Sequence, residues 1–159
     1  MLTSMGSEEG CVTQELLAYW EKRAAGGFGM CTVEYTCIDP VGRAFGRQLC
    51  IFEDRFIPGL RKLADVIHTH GAAAILQLQH SGLATSSGIT GTQPVSASAI
   101  PSPVRREKVR ELTTEEVYQI ISRFAEGAVR AKQAGFNLEN AGVLKRFVHI
   151  PVIGLGRIN

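Results

Sequence analysis

Ala73-Ala74-Ile75-Leu76-Gln77-Leu78-Gln79 is the stretch that decides how this chain folds. It opens as a continuous apolar run and turns polar only toward its end. That is the pattern of a buried parallel strand whose carboxyl end faces a site. Just upstream, Ile57, Leu60, Leu63, Ala64 and Ile67 recur at helical spacing, with Pro58 suited to a first helical turn and Gly71 to a stop. Further upstream, Met30 to Ile38 is rich in β-branched and aromatic residues and is halted by Asp39-Pro40, so it reads as a second, mostly buried strand. Strand, helix, strand in this order predicts an α/β fold with parallel strands. Cys31 and Cys37, six apart, are expected on one strand face and buried.

Outward from this unit the pattern continues. Val12, Leu16, Leu17, Trp20 and Ala24 share a helical face, with Thr13 as N-cap, Glu15 complementing the N-terminal dipole and Gly26-Gly27 as the end. Residues 81–112 are rich in Ser, Gly and Pro and show no period, so they are expected to be a long loop, functional or disordered. Thr113 and Glu116 form a capping box, followed by Val117, Ile120, Ile121, Phe124, Ala128 and Val129 at helical spacing, with Gly135 as the stop. A short helix around Ala141 to Phe147 and a last strand over Pro151 to Gly156 complete a single domain, 1–159. No internal repeat of fixed period is present.

The 159 residues carry a formal charge of +2, with 20% charged and 45% hydrophobic residues, which excludes a disordered chain. The densest basic run is Arg105, Arg106, Lys108 and Arg110, interleaved with Glu107 and Glu111, and reads as a solvated loop. No nucleic-acid partner is expected from this charge. No run of about 18 apolar residues exists, so no membrane span is expected. Met1 to Gly10 lacks the apolar core of a secretory signal. Cys11, Cys31, Cys37 and Cys50 include no Cys-x-x-Cys pair and no zinc spacing, so reduced thiols, no metal site and a cytoplasmic location are expected. His68 and His70 sit at a helix end, where they complement the dipole and read as structural.

Two strand ends carry useful chemistry, Gln77 to His80 and Gly154 to Arg157, and ligands of parallel α/β folds sit at such carboxyl ends. The Gln77 amide carries both a donor and an acceptor, so it can satisfy an N–H and a carbonyl on one planar heterocycle. Around Leu155, Gly154 and Gly156 let the backbone approach a phosphate, with Arg157 beside them. His80 is the candidate to touch substrate. Gly27-Phe28-Gly29 precedes a strand, so it is a turn and not a dinucleotide fingerprint.

Several segments then resemble, in order, one known family. They are Arg23-Ala24-Ala25-Gly26-Gly27-Phe28-Gly29, Glu34-Tyr35-Thr36, Asp39-Pro40-Val41-Gly42-Arg43, Phe56-Ile57-Pro58-Gly59-Leu60 and Gln77-Leu78-Gln79-His80-Ser81-Gly82. Pro94-Val95, Ser98-Ala99-Ile100-Pro101, Arg110-Glu111-Leu112-Thr113, Phe124-Ala125 and Ala131-Lys132-Gln133-Ala134-Gly135-Phe136 continue the set. The chain resembles the old yellow enzyme-type NADH:flavin oxidoreductases, in the branch of 2,4-dienoyl-CoA and enoate reductases. The resemblance implies a β/α barrel that binds FMN, takes NAD(P)H as reductant and reduces an activated C=C bond of a small enone, enoate or enoyl-CoA. By the same resemblance, Thr3 hydrogen-bonds the isoalloxazine, Tyr35 stands at a flavin-contacting position and Gln77 reads the flavin pyrimidine edge. His80 lies within reach of substrate or flavin, and Gly154, Leu155, Gly156 and Arg157 begin the phosphate site.

A barrel of this type takes about 250 residues, so the resemblance implies an incomplete one. Where the family carries a His-x-x-His or His-x-x-Asn pair that polarises the substrate, this chain has Asn137-Leu138-Glu139-Asn140, which implies internal excisions near 136–141. Two alternatives stand beside the enzyme reading. One is a catalytically silent barrel remnant that forms a homo-oligomer through open sheet edges. The other is a phosphate-binding barrel fragment without flavin.

Overall fold

The computed structural model describes residues 2–103 and 105–137. The first helix, α1 (Gln14–Ala25), starts where Thr13 accepts the Leu16 N–H on its side-chain oxygen, and it buries Leu16, Trp20 and Ala24. Strand β1 (Met30–Cys37) follows the glycine turn, and Asp39 then caps a 3-10 turn over Pro40–Gly42. Helix α2 (Ile57–Thr69) has proline in its first turn, buries Leu60, Leu63, Ala64 and Ile67, and is closed by Gly71 at φ +78°. Strand β2 (Ala73–Gln79) coincides with the stretch quoted first.

β1 and β2 pair in parallel, so β1–α2–β2 is one crossover unit, and α1 and α2 pack on each other beside it. The register runs from Met30 against Ala73 to Val33 against Leu76 and resumes with Thr36 against Leu78. Two residues, Glu34 and Tyr35, therefore stand against one, Gln77. This is a β-bulge, a feature common beside functional sites. It also corrects one expectation: the extra residue puts Cys31 and Cys37 on opposite faces, paired with Ala74 and Gln79. Both thiols are buried all the same.

After β2 the chain makes an excursion over 81–112. Expected to be structureless, it holds a one-turn helix α3 (Ser87–Thr90) and a short parallel pair, β3 (Val95–Ser96) with β4 (Arg110–Glu111). The excursion is tied down: the Glu107 carboxylate accepts the Ser87 N–H, and the Thr85 hydroxyl donates to the Arg43 carbonyl. The basic run is likewise engaged, since Arg110 makes a two-point ion pair with Glu116 at 2.8 and 2.7 Å.

Helix α4 (Thr114–Gln133) begins at the expected capping box of Thr113 and Glu116. Its core side is Gly127, Ala128 and Ala131, and Gly127 permits close approach to Ile38, whose Cγ2 lies 3.0 Å from where a Cβ would stand. The expected apolar face is only partly covered: Val117, Ile121 and Val129 are exposed. Past Gly135, at φ +91°, the Asn137 N–H donates to the Ala74 carbonyl at 2.7 Å, and the Asn137 side-chain oxygen accepts the Ala74 N–H at 2.8 Å. The chain thus arrives beside β2 at the place a next parallel strand would take. The helix expected around residue 141, the strand over 151–156 and the sequence at 138–141 lie outside the described residues.

Most of the core lies on one side of the sheet. α1 covers β1, while α2 and α4 cover β2. On that side Val33, Ala74 and Leu76 are fully buried. On the other side Met30, Thr32 and Gln77 are exposed, while Ile75 and Cys37 are buried. No helix among the described residues is long and apolar enough to cross a membrane.

Candidate functional site

Gln77 lies on the less covered side of β2, two residues before its end, and its side chain makes no hydrogen bond among the described residues. Strand alternation alone explains its direction: Leu76 and Leu78 point to the helices, so Gln77 points away. Facing it across the ladder, the bulge presents Tyr35, half-buried, and Glu34, buried. Burial first, and the Glu34 charge second, push the Tyr35 phenol above its ordinary range.

Thr3 reaches the same place. Its backbone N–H donates to Glu34 Oε2 at 2.9 Å, and its hydroxyl oxygen accepts the Met5 N–H at 3.2 Å. Thr3, Tyr35 and Gln77 therefore collect around the carboxyl half of β1 and β2.

A buried amide supports this edge. Gln48 donates to Gln79 Oε1 at 2.8 Å and to the Tyr35 carbonyl at 3.3 Å, while its own oxygen accepts the Ala44 N–H at 2.7 Å. Gln79 in turn donates to the Ser81 hydroxyl. Glu34 and Gln48 were missed as supporting residues. The available signal was a charge inside a β-branched strand for Glu34, and a polar residue heading the apolar Leu49-Cys50-Ile51-Phe52 run for Gln48.

His80 stands one step further along, against the Pro40–Gly42 turn. Its Nδ1 accepts the Gly82 N–H at 3.1 Å, so the ring proton sits on Nε2, which is buried and has no partner among the described residues. A Cβ at Gly42 would lie 2.4 Å from the ring, so only glycine fits there. Burial pushes the imidazole below its ordinary value. Gly154, Leu155, Gly156 and Arg157 lie outside the described residues.

A separate cleft of about 270 Å³ lies between the 81–112 excursion and α4. Its charged walls are already matched, Arg110 with Glu116 and Arg123 with the buried Asp39. None of Thr3, Tyr35, Gln77 and His80 lines it. No cluster of three or more His, Cys, Asp or Glu side chains among the described residues is arranged to hold a metal ion.

Comparison with known proteins gives this arrangement a context. The sequence profile of the NADH:flavin oxidoreductase / NADH oxidase family matches residues 1–140. An NADH oxidase of Thermoanaerobacter brockii is 39% identical over 139 residues, which are 86% of this chain and 21% of that protein. A solved 2-naphthoyl-CoA reductase superposes with a TM-score of 0.81 at 29% identity, over 86% of this chain and 23% of its own. An old yellow enzyme homologue from Zymomonas mobilis shares the fold, with a TM-score of 0.78 at 22% identity over 86% of this chain and 40% of its own. The chain thus spans about a fifth to two fifths of the length of these proteins, and its strands are part of a β/α barrel. It belongs to the NADH:flavin oxidoreductase / NADH oxidase family, an FMN- and nicotinamide-dependent oxidoreductase family of the old yellow enzyme type.

Proposed function

We propose that this chain carries the flavin-facing strands of an ene-reductase, which moves hydride from a nicotinamide to an activated alkene of the enone, enoate or enoyl-CoA type. The observation that carries the reading is the unbonded Gln77 amide at the carboxyl end of β2, set against Tyr35 and beside Thr3. A free donor and acceptor on one planar group matches the edge of a pyrimidine-like ring, so the residues present fit the ring of FMN. Bound FMN supplies the hydride chemistry.

The protein's share is orientation. Gln77 would hold the ring edge, offering one donor and one acceptor to it. The hydroxyl of Thr3 keeps its proton free to donate, because its oxygen is engaged only as an acceptor of the Met5 N–H. Tyr35 closes one side against water. Burial disfavours a second proton on His80, whose Nε2–H is enclosed against the Pro40–Gly42 turn beside the proposed site. By the family resemblance, Gly154, Leu155, Gly156 and Arg157 would take the phosphate.

Titration of free FMN with the purified protein tests this by fluorescence quenching. Saturable quenching, lost in Gln77→Leu, is the expected result. Unchanged FMN fluorescence with the wild type defeats the reading.

A second reading has its own observation. Met30, Thr32 and Gln77 leave part of one side of the sheet uncovered, and Val117, Tyr118 and Ile121 are exposed on α4. A silent remnant would bury these surfaces against a second copy. Sedimentation decides: a concentration-dependent dimer that does not bind FMN supports it, and a monomer that binds FMN and reduces an enone eliminates it.

A further inference from the structure

We propose that Glu34 is a positioning residue of the flavin-facing surface, acting through Thr3. The inference rests on the flavin reading above. Glu34 is only 2% exposed and is the one charged side chain of β1. A carboxylate is seldom buried unless hydrogen bonds repay its lost hydration. Here Oε2 accepts the N–H of Thr3, a residue far away in sequence, and Oε1 is buried with no partner among the described residues. A group so poorly satisfied is a costly way to stabilise a fold, and an alkyl side chain of the same volume would do that better. What the carboxylate provides is geometry.

The bonds form one line. Thr13, the N-cap of α1, donates its hydroxyl to the Met5 carbonyl at 2.5 Å. The Met5 N–H reaches the Thr3 hydroxyl oxygen at 3.2 Å, and the Thr3 N–H reaches Glu34 at 2.9 Å. Segment 3–5, which belongs to no helix or strand, is thereby pinned at one end to α1 and at the other to the bulge that faces Gln77. Because Glu34 takes the backbone N–H, the Thr3 group left to meet a ligand is its hydroxyl. The bulge brings Glu34 to the level of Gln77, so the two donors toward the ring are held in register with each other.

The test compares Glu34→Gln, which keeps an oxygen to accept the Thr3 N–H, with Glu34→Leu, which keeps the volume and loses the acceptor. Each is made alone and with Thr3→Val. FMN affinity is read by quenching, and protection of the Thr3 amide by hydrogen exchange. We expect Glu34→Leu to weaken FMN binding about tenfold and to expose the Thr3 amide, the size of effect one lost hydrogen bond gives. Glu34→Gln should retain both affinity and protection. On the Thr3→Val background Glu34→Leu should add nothing further, since coupled residues are not additive. Equal weakening by the two Glu34 variants, or a full effect of Glu34→Leu on Thr3→Val, overturns the proposal. Should Glu34→Leu not fold, Thr3→Pro deletes the same bond from the other side. It must bind FMN more weakly than Thr3→Val, and equal affinities overturn the proposal. A wild type that ignores FMN defeats the flavin reading itself, whereas a wild type that binds with Glu34 variants unaltered defeats this inference alone.

Discussion

The two faces of the β1–β2 sheet are made by alternate residues of the same strands, yet they differ in character. Toward the helices stand Val33, Ala74 and Leu76, each with no exposed surface. Away from them stand Met30, Thr32 and Gln77, all exposed. The first face carries most of the core, while the second buries Ile75 and Cys37 but leaves these three positions open. Among the described residues burial is thus strongly biased to one face, whereas a parallel sheet is ordinarily covered on both. This bias predicts that substitutions a single residue apart will differ sharply in their effect.

Leu76→Ala should have the largest effect. It removes a fully buried side chain from the covered face and is expected to cost about 2–5 kcal/mol, measured by urea unfolding. A cost below 1 kcal/mol would break the distinction between faces. Asn137→Ala tests the border where the chain settles beside β2. It takes the acceptor from the Ala74 N–H and the partner from His68 Nε2, at 2.8 and 2.9 Å. About 1 kcal/mol should be lost, the usual worth of such a bond, with Ala74 amide exchange accelerated.

The next effect is one of pH. Burial lowers the folded-state value of His80 below the ordinary 6.5. The unfolded chain therefore binds the proton more readily, so stability is full above pH 6.5 and declines as the pH falls through the lowered folded value. His80→Gln should flatten that part of the profile. The smallest stability effect belongs to Gln77→Ala, on the open face, which should stay within about 0.5 kcal/mol of wild type. Since the same residue is assigned the largest effect on FMN affinity, this one variant sharpens the contrast between faces most directly.

Local signals in the sequence were reliable where a residue acts on its immediate neighbours. Thr13 and Thr113 cap the helices they were assigned, and Ala73–Gln79 is a strand from end to end. Hydrogen bonds to residues three or four positions away need no tertiary context. The bulge at Glu34 and Tyr35 was not legible, because it is a mismatch between two strands and neither strand carries it alone. It moved Cys37 to the opposite face from Cys31. The pairing of β3 with β4 escaped notice for a related reason: two residues have no measurable period, and their partner lies across a loop. Glu34 and Gln48 appear as supports of the site only once Thr3 and Gln79 are brought to them.

By itself, then, the sequence determined the order of strand and helix, the helix ends, the parallel class and the polar turn at the end of β2, since propensity, capping and periodicity act over a few residues. Only the tertiary structure decided which side of the sheet is covered, that Glu34 anchors Thr3, and that Gln77 is left unbonded. Those outcomes depend on contacts between segments far apart in the chain, whose register no local pattern encodes.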